Sequence, residues 1–141
     1  MIAPGRLAGL LADLKIERRL VMVSACYSGQ FVTALATPAS AIVTAADDDR
    51  TSFGCAPSND WTFFGDALIN HELRKAQPLE SAANAAITLI GGWESAKGLT
   101  SSKPRLFIGE EAKLWLALLE KRMPATTTAK VGRPAIEDVK P

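Results

Sequence analysis

The stretch LVMVSACYSG, residues 20–29, decides the fold because it joins a buried strand to a tight turn. Its apolar and small residues at 20–25 predict a strand that is covered on both faces, as in parallel sheets. Cys26 follows directly, and Gly29 ends the extended run. The thiol is therefore expected at the carboxyl end of a strand, which is where parallel α/β sheets bind their ligands.

Helices and strands alternate around this strand. A leucine stripe predicts a helix before it, and QFVTALATP at 30–38 predicts a helix after it that Pro38 ends. SAIVTAA at 40–46 is a second predicted strand. A strand, a helix and a strand in this order predict a right-handed parallel crossover. The residues of the leucine stripe are Leu7, Leu10, Leu11 and Leu14.

The rest of the chain continues the α/β pattern and then loses it. The further predicted segments are a polar loop at 47–60, helices at 61–76 and 79–96, a strand at 104–109 and an amphipathic helix at 110–122. Asn59 or Asp60 is the expected N-cap of the helix at 61–76. From Met123 onward the sequence is rich in Pro and Thr without periodicity. We therefore expect a folded portion at 1–122 and a flexible tail at 123–141.

Composition limits the classes of function. The 141 residues are 48% hydrophobic and 22% charged, which is typical of one globular domain. A net charge of +1 gives no reason to expect nucleic acid or an anionic membrane as a partner. No apolar stretch is long enough to span a bilayer, and the N-terminus lacks the pattern of a signal peptide, so a soluble, cytoplasmic protein is expected.

The metal-binding residue types are too few for a metal site. Cys26 and Cys55 are the two cysteines, and free thiols are expected because two cysteines cannot form a disulfide framework. The single histidine, His71, has no partner at zinc-ligand spacing. Neither a metal nor another cofactor is predicted.

The surroundings of Cys26 fit two interpretations. Small neighbours, among them Ser24, Ser28 and Gly29, leave room for a substrate carbonyl, and amides at the start of the next helix could stabilise an oxyanion. A buried free cysteine that packs as a small hydrophobe is the other interpretation. Spacing alone slightly favours the structural cysteine, because a nucleophilic thiol needs a base or a positive setting.

Four segments in order resemble the bacterial branch of the C13 cysteine peptidases. They are VSACYSGQF, TAADDDRTSFGC, DWTFFGDAL and PRLFIGEE, and the resemblance extends from about residue 19 to residue 121. These legumain-like enzymes are relatives of caspases and gingipains. The resemblance implies a three-layer α/β/α caspase-hemoglobinase-like fold with a mostly parallel sheet, here as a partial domain. It also implies a cysteine endopeptidase in which Cys26 attacks a peptide carbonyl and forms an acyl-enzyme.

The same resemblance assigns substrate contacts. Ser24 stands where legumain has a glutamate in its S1 pocket, and Thr51 and Ser52 stand at its pocket serine and the serine that follows. Asp66 stands at its pocket aspartate, although a charge on the solvent side of a helix is an equal alternative for this residue. A hydroxyl and a carboxylate could bind an Asn side chain, but loss of the glutamate argues against strict Asn specificity. Cys55 resembles a second family cysteine, for which a structural role is expected.

One expected catalytic group is missing. The family's general base is a histidine followed by glycine on the strand before the cysteine strand, and residues 1–25 contain no histidine. The resemblance therefore implies a truncated form, with 1–122 as the C-terminal portion of a caspase-like peptidase domain. His71 lies five residues after Asp66 on a predicted helix and is a weak substitute. The sheet edge near 20–25 would lack a neighbour, which the missing N-terminal segment or a partner subunit could provide.

Three functions remain open at this point. The first is a cysteine endopeptidase acting on a peptide or protein substrate. The second is a non-catalytic caspase-like interaction module that binds peptide or a partner subunit. The third, and weakest, is a thiol redox protein that uses Cys26 and Cys55, which lack the C-x-x-C spacing.

Overall fold

The structure, a computed structural model, describes residues 2–139 as a mixed α/β protein. Its strands are β1 (Arg19–Val23), β2 (Ser40–Thr44) and β3 (Arg105–Ile108). Its helices are α1 (Pro4–Asp13), α2 (Gln30–Leu35), a π-helix (Gly65–Glu72), α3 (Leu79–Ala96), α4 (Glu110–Glu120) and α5 (Ala135–Asp138). Over the described residues, no helix combines the length and the apolar character that crossing a lipid bilayer requires.

The three strands form one sheet in the order β1-β2-β3. β1 runs parallel to β2, with Arg19 opposite Ser40, as the predicted crossover requires. β3 runs antiparallel to β2, with Ala41 opposite Ile108, so the expectation of a mostly parallel sheet holds only for β1 and β2. The π-helix and α3 connect β2 to β3, whereas one helix, α2, connects β1 to β2. The chain therefore returns to the sheet from its opposite end.

β2 is the centre of the core, since all five of its residues are buried. Its side chains alternate between two apolar clusters, as the twofold period of a strand dictates. Ile42 packs with Val32 and Leu35 of α2 and with partly buried residues of α1. Ala41 and Val43 belong to the larger cluster, which includes residues of the π-helix, α3 and α4. Helices therefore cover β2 on both faces.

β1 is much less covered than β2. Leu20 is 38% exposed, and Val21, Met22 and Val23 are only partly buried. Within residues 2–139, β1 has a strand on one side only, so one row of its backbone groups is unpaired by the sheet. This open edge lies where the sequence analysis predicted one.

A close backbone contact fixes the start of α4. Gly109 is buried before the first turn, and a Cβ atom there would collide with the carbonyl groups of Thr37 and Pro38. The Pro38 carbonyl accepts hydrogen bonds from Glu111 and Ala112 at 2.9 and 3.0 Å. The turn before β2 therefore takes up two of the four N–H groups that the start of a helix leaves without partners.

Residues 123–139, where the sequence analysis expected a flexible tail, lie against the π-helix and contain α5. The Thr128 amide donates to the Arg74 carbonyl at 2.9 Å, and Ala135 is completely buried. Much of this contact uses backbone N–H and C=O groups rather than an apolar stripe. Hydrophobic periodicity therefore does not predict this contact.

Candidate active site

Cys26 lies at the start of a turn that follows β1, and its side chain is exposed. The next residue, Tyr27, has a φ of 57°, a left-handed backbone conformation that residues other than Gly, Asn and Asp seldom adopt. The Tyr27 amide donates to the Arg50 carbonyl at 2.7 Å. This hydrogen bond ties the turn that carries the thiol to the loop after β2.

The two residues after Tyr27 dock the turn against the same loop. The Ser28 hydroxyl is buried, accepts a hydrogen bond from the Ala46 amide at 3.0 Å and donates to the Ala46 carbonyl at 3.4 Å. A Cβ atom at Gly29 would collide with the backbone of Asp47 and Asp48. Ser28 and Gly29, which we expected to leave room for a substrate, instead make room for the loop after β2.

The Cys26 sulfur contacts Ser52. The Ser52 amide donates to Sγ at 3.3 Å, and both the hydroxyl and the carbonyl oxygen of Ser52 lie 3.7 Å from Sγ. Ser52 is therefore a direct neighbour of the candidate nucleophile.

The amides at the start of α2 do not form the expected oxyanion site. The N–H groups of Gln30, Phe31 and Val32 donate to the carbonyls of residues 27–29, at 3.3, 3.0 and 2.9 Å. These donors close the turn and begin the helix. Because they already have partners, they are not free to hold the negative oxygen of a tetrahedral intermediate.

Ser24 lies next to the first turn of the helical segment that contains the π-helix. Its hydroxyl is 3.1 Å from the Thr62 hydroxyl, which also accepts a hydrogen bond from the Gly65 amide at 2.9 Å. Helical geometry begins at residue 63, so Thr62 is the N-cap in place of Asn59 or Asp60. Thr51, the other predicted hydroxyl, is exposed directly before Ser52.

Asp66 has no exposed surface. Its Oδ1 accepts a hydrogen bond from the Asn70 amide at 2.7 Å, and its Oδ2 accepts one from the Ala135 backbone amide at 2.7 Å. The alternative of a solvent-facing helix charge is therefore wrong. The carboxylate predicted to bind substrate is occupied by a side chain of its own helix and by the C-terminal segment.

His71 lies beside Asp66 because the helix is a π-helix. In this helix the i→i+5 hydrogen-bonding pattern brings residues five apart onto one side, and His71 Nε2 is 3.7 Å from Asp66 Oδ1. The imidazole also packs edge-on against Trp93, with 5.4 Å between ring centroids. Burial, with a smaller contribution from the Lys130 charge, lowers the pKa of His71 below 6.5, although Asp66 and Glu72 oppose this. The environment of the imidazole therefore favours its neutral form.

A comparison with protein-family models shows the family of the chain. The model of the peptidase C13 family matches residues 1–111 of the chain. The chain belongs to the peptidase C13 family. Searches of curated proteins and of solved structures found no match.

The part of this C13 chain that matches the family extends from α1 to the first turn of α4. It therefore contains the Cys26 turn, the loop with Ser52 and Cys55, and the π-helix with Asp66. The C-terminal segment that contacts Asp66 lies beyond the matched residues. In this structure Cys26 and Ser52 are in contact, and Ser24 joins the neighbouring helix through Thr62.

Two residues near the site, Thr62 and Asn70, were not predicted from the sequence. Thr62 carried a usable signal, because Thr is a preferred residue immediately before a helix. Asn70 is four residues after Asp66, and its side-chain amide also binds the backbone of Val131. Its Oδ1 accepts from the Val131 amide at 2.9 Å, and its Nδ2 donates to the Val131 carbonyl at 3.0 Å. No local pattern predicts that partner, since Val131 is 61 residues away in the chain.

A cluster of acidic residues lies beside the Cys26 turn. The carboxylate oxygens of Asp47, Asp48 and Asp49 lie within 4.8 Å of one another. Two of the three already have cationic partners, because Asp47 pairs with Arg105 and Asp49 with Arg50, each at 3.3 Å. These pairs compensate much of the negative charge that would attract a cation.

Proposed function

We propose that this C13 chain acts as a cysteine endopeptidase of the legumain-like, caspase-related type, with Cys26 as nucleophile. The observation that carries the proposal is the exposed Cys26 sulfur at the carboxyl end of β1, with the Ser52 amide 3.3 Å away. In the proposed reaction the thiolate attacks a peptide carbonyl and the amine leaves with a proton. Water then hydrolyses the acyl-enzyme and releases the thiol.

The proposal requires a base that accepts the thiol proton. The sequence has one histidine, His71, and its imidazole faces Asp66 and Trp93. We therefore propose that an imidazole from another segment or a partner subunit completes the site. In this proposal residues 1–122 are the C-terminal portion of a three-layer caspase-like domain. The open edge of β1 supports it, since a further strand could pair there.

Substrate binding is proposed at the hydroxyl groups near the thiol. Ser24, Thr51 and Ser52 are the polar residues that we propose to contact the side chain on the acyl side of the cleaved bond. Asp66 can join them only if the C-terminal segment moves, because Ala135 occupies its Oδ2. The proposed pocket therefore has two states, with the carboxylate covered or uncovered.

Chemical rescue tests the proposal directly. A library of internally quenched peptides is incubated with the purified chain, with and without added imidazole as an external base. We expect hydrolysis that depends on imidazole, that is lost in Cys26→Ala and that is retained in Cys55→Ala. Hydrolysis without imidazole that His71→Gln abolishes would identify His71 as the base instead.

A non-catalytic interaction module is the second candidate. It is favoured by one observation, namely that Cys26 is hydrogen-bonded to Ser52 and not to a histidine within residues 2–139. Peptides that bind the chain at the same affinity with Cys26 or with Cys26→Ala, and that are not cleaved under either condition, would support this candidate and reject the endopeptidase.

A further inference from the structure

The two cysteines lie on either side of one hydroxyl group. Ser52 Oγ is 3.7 Å from Cys26 Sγ and 4.0 Å from Cys55 Sγ, so the two sulfurs are separated by no more than the sum of these distances. Both cysteines are free and exposed. Cys55 follows Cys26 by 29 positions in the sequence, and this separation gives no indication of the proximity.

We propose that Cys26 and Cys55 form a reversible intramolecular disulfide when the chain meets a hydroperoxide. The disulfide would be a modification site that removes the Cys26 thiol from any reaction with substrate. It would also protect Cys26, because a sulfenic acid without a nearby thiol is oxidised further to irreversible sulfinic and sulfonic acids. The inference depends on the position of the sulfurs and not on peptidase activity.

The chemistry takes two steps. The Cys26 thiolate attacks one oxygen of hydrogen peroxide, so that an S–O bond forms, the O–O bond breaks and hydroxide leaves, giving the sulfenic acid. The Cys55 thiol then attacks the Cys26 sulfur, so that the S–S bond forms, the S–O bond breaks and water leaves with the Cys55 proton. Sulfur loses two electrons and the peroxide gains them. A dithiol reductant reverses the change by thiol–disulfide exchange.

The two cysteines are held differently, which suits these roles. Cys26 accepts a hydrogen bond from the Ser52 amide, which holds its exposed sulfur in a fixed position where a hydroperoxide can reach it. Cys55 lies in an exposed stretch at 55–58. The stretch begins after Gly54, whose carbonyl accepts a hydrogen bond from the Asn59 side chain at 3.1 Å. It lies outside the core, so it can shift toward Cys26 without disrupting core packing.

The formation of an S–S bond of about 2.05 Å requires such a shift, because the sulfurs are not in bonding contact. Rotation of each cysteine side chain between its staggered conformations moves its sulfur toward or away from Ser52. Ser52 itself can turn its hydroxyl aside while its amide stays in place. The turn with Cys26 is the fixed partner, since Tyr27 and Ser28 bind the loop after β2.

Mass spectrometry of the full chain tests the proposal. Trypsin cleaves after Arg19, Arg50 and Arg74, so each cysteine falls in its own peptide, 20–50 or 51–74. The reduced chain is treated with equimolar hydrogen peroxide at high dilution. We expect it to stay monomeric and its mass to decrease by the mass of two hydrogen atoms. Digestion then gives peptides 20–50 and 51–74 as one linked species. Dithiothreitol separates them, which distinguishes the disulfide from oxidation at Met22.

Two single-cysteine variants provide the controls. In Cys55→Ser, we expect Cys26 to be trapped by dimedone as the sulfenic acid and to progress to sulfinic acid on longer exposure. In Cys26→Ser, we expect Cys55 to react more slowly than Cys26 does in the other variant. The proposal is overturned if only dimers become disulfide-linked, or if Cys26 in wild type is overoxidised as fast as in Cys55→Ser. It is equally overturned if both thiols remain free.

Discussion

At the scale of single residues, Asp66 stabilises the molecule through both carboxylate oxygens. Asp66→Asn keeps the shape of the side chain but replaces one of the two acceptor oxygens by an NH₂ group. That group then faces another donor, either Asn70 Nδ2 or the Ala135 amide. Asn70 cannot flip its amide without losing its bonds to Val131. We expect Asp66→Asn to lower the free energy of unfolding by about 1.5–3 kcal/mol, the range for a hydrogen bond to a charged group.

Urea denaturation measures the Asp66 effect. Asp13→Asn, at the exposed end of α1, is the matched control, and we expect it to change stability by less than about 0.5 kcal/mol. Equal denaturation midpoints for Asp66→Asn and wild type would mean that the buried carboxylate contributes nothing to the fold.

The pH dependence of stability is a second prediction at this scale. Burial, followed by the charge of Lys130, lowers the pKa of His71 in the folded state below 6.5. The unfolded chain therefore binds more protons than the folded chain in a window that begins near pH 6.5 and extends down to the folded pKa. The contribution of His71 to the free energy of unfolding therefore decreases as the pH falls through that window, and this contribution is fully present above pH 6.5.

The single histidine makes this measurement clean. NMR titration of the imidazole of the folded chain should give one midpoint below 6.5. The loss of stability between pH 7 and pH 5 should be smaller in His71→Gln than in wild type, because glutamine does not titrate. A folded-state midpoint at or above 6.5 would contradict the assigned effect of burial.

At the scale of elements, two glycines predict opposite effects of the same substitution. Gly91 lies in the interior of α3, and a Cβ atom added there would have no neighbour within 4 Å, so Gly91→Ala should stabilise the chain by about 0.5–1 kcal/mol. A Cβ atom at Gly109 meets the Thr37 and Pro38 carbonyls, so Gly109→Ala should destabilise by about 1–3 kcal/mol. Thermal unfolding of the two variants tests both, and shifts of the same sign would refute the argument.

The predictability of each element follows the range of the forces that form it. The leucine stripe of α1 and the apolar run of β2 are local patterns, and both elements were predicted from them. The π-helix was predicted as an ordinary helix, because its sequence carries no local sign of i→i+5 hydrogen bonds. This difference matters at the site, since a π-helix brings His71 to Asp66 and an α-helix carries residues five apart to different faces.

At the scale of the whole molecule, the C-terminal segment covers the π-helix. Val131 binds Asn70 and accepts a hydrogen bond from Trp61 Nε1 at 2.8 Å, and Arg133 binds Asp60 through its amide at 2.7 Å. We expect deletion of 124–141 to lower the free energy of unfolding, since each lost hydrogen bond contributes about 0.5–1.5 kcal/mol. It should also make Trp61, which is partly buried, more accessible to an aqueous fluorescence quencher.

Val131→Pro is the finer version of this deletion. It removes the backbone N–H that donates a hydrogen bond to Asn70 Oδ1 and leaves the rest of the segment in the chain. We expect a smaller loss of stability than the deletion causes, in the same direction. If denaturation curves of both variants overlay the wild-type curve, the segment does not stabilise the fold.

The site was predictable as far as the sheet determines it. The rule that ligands meet the carboxyl ends of parallel strands placed Cys26 and the loop after β2 on one side, and Cys26 does contact Ser52. The cover over Asp66 was not predictable, because it depends on a contact 69 residues away in sequence. The C-terminal segment lacks an apolar stripe and forms this contact through single amides.

The open edge of β1 has a consequence for the thiol that follows it. Alternate amides of an edge strand point away from its neighbour, so slow and fast hydrogen–deuterium exchange should alternate along β1. The turn that carries the sulfur is thus anchored by one neighbouring strand and one loop, and within residues 2–139 no second strand stiffens it. A strand that paired with the open edge of β1 would slow the exchange of those fast amides. Because the same backbone carries Cys26, it would also reduce the motion of the sulfur.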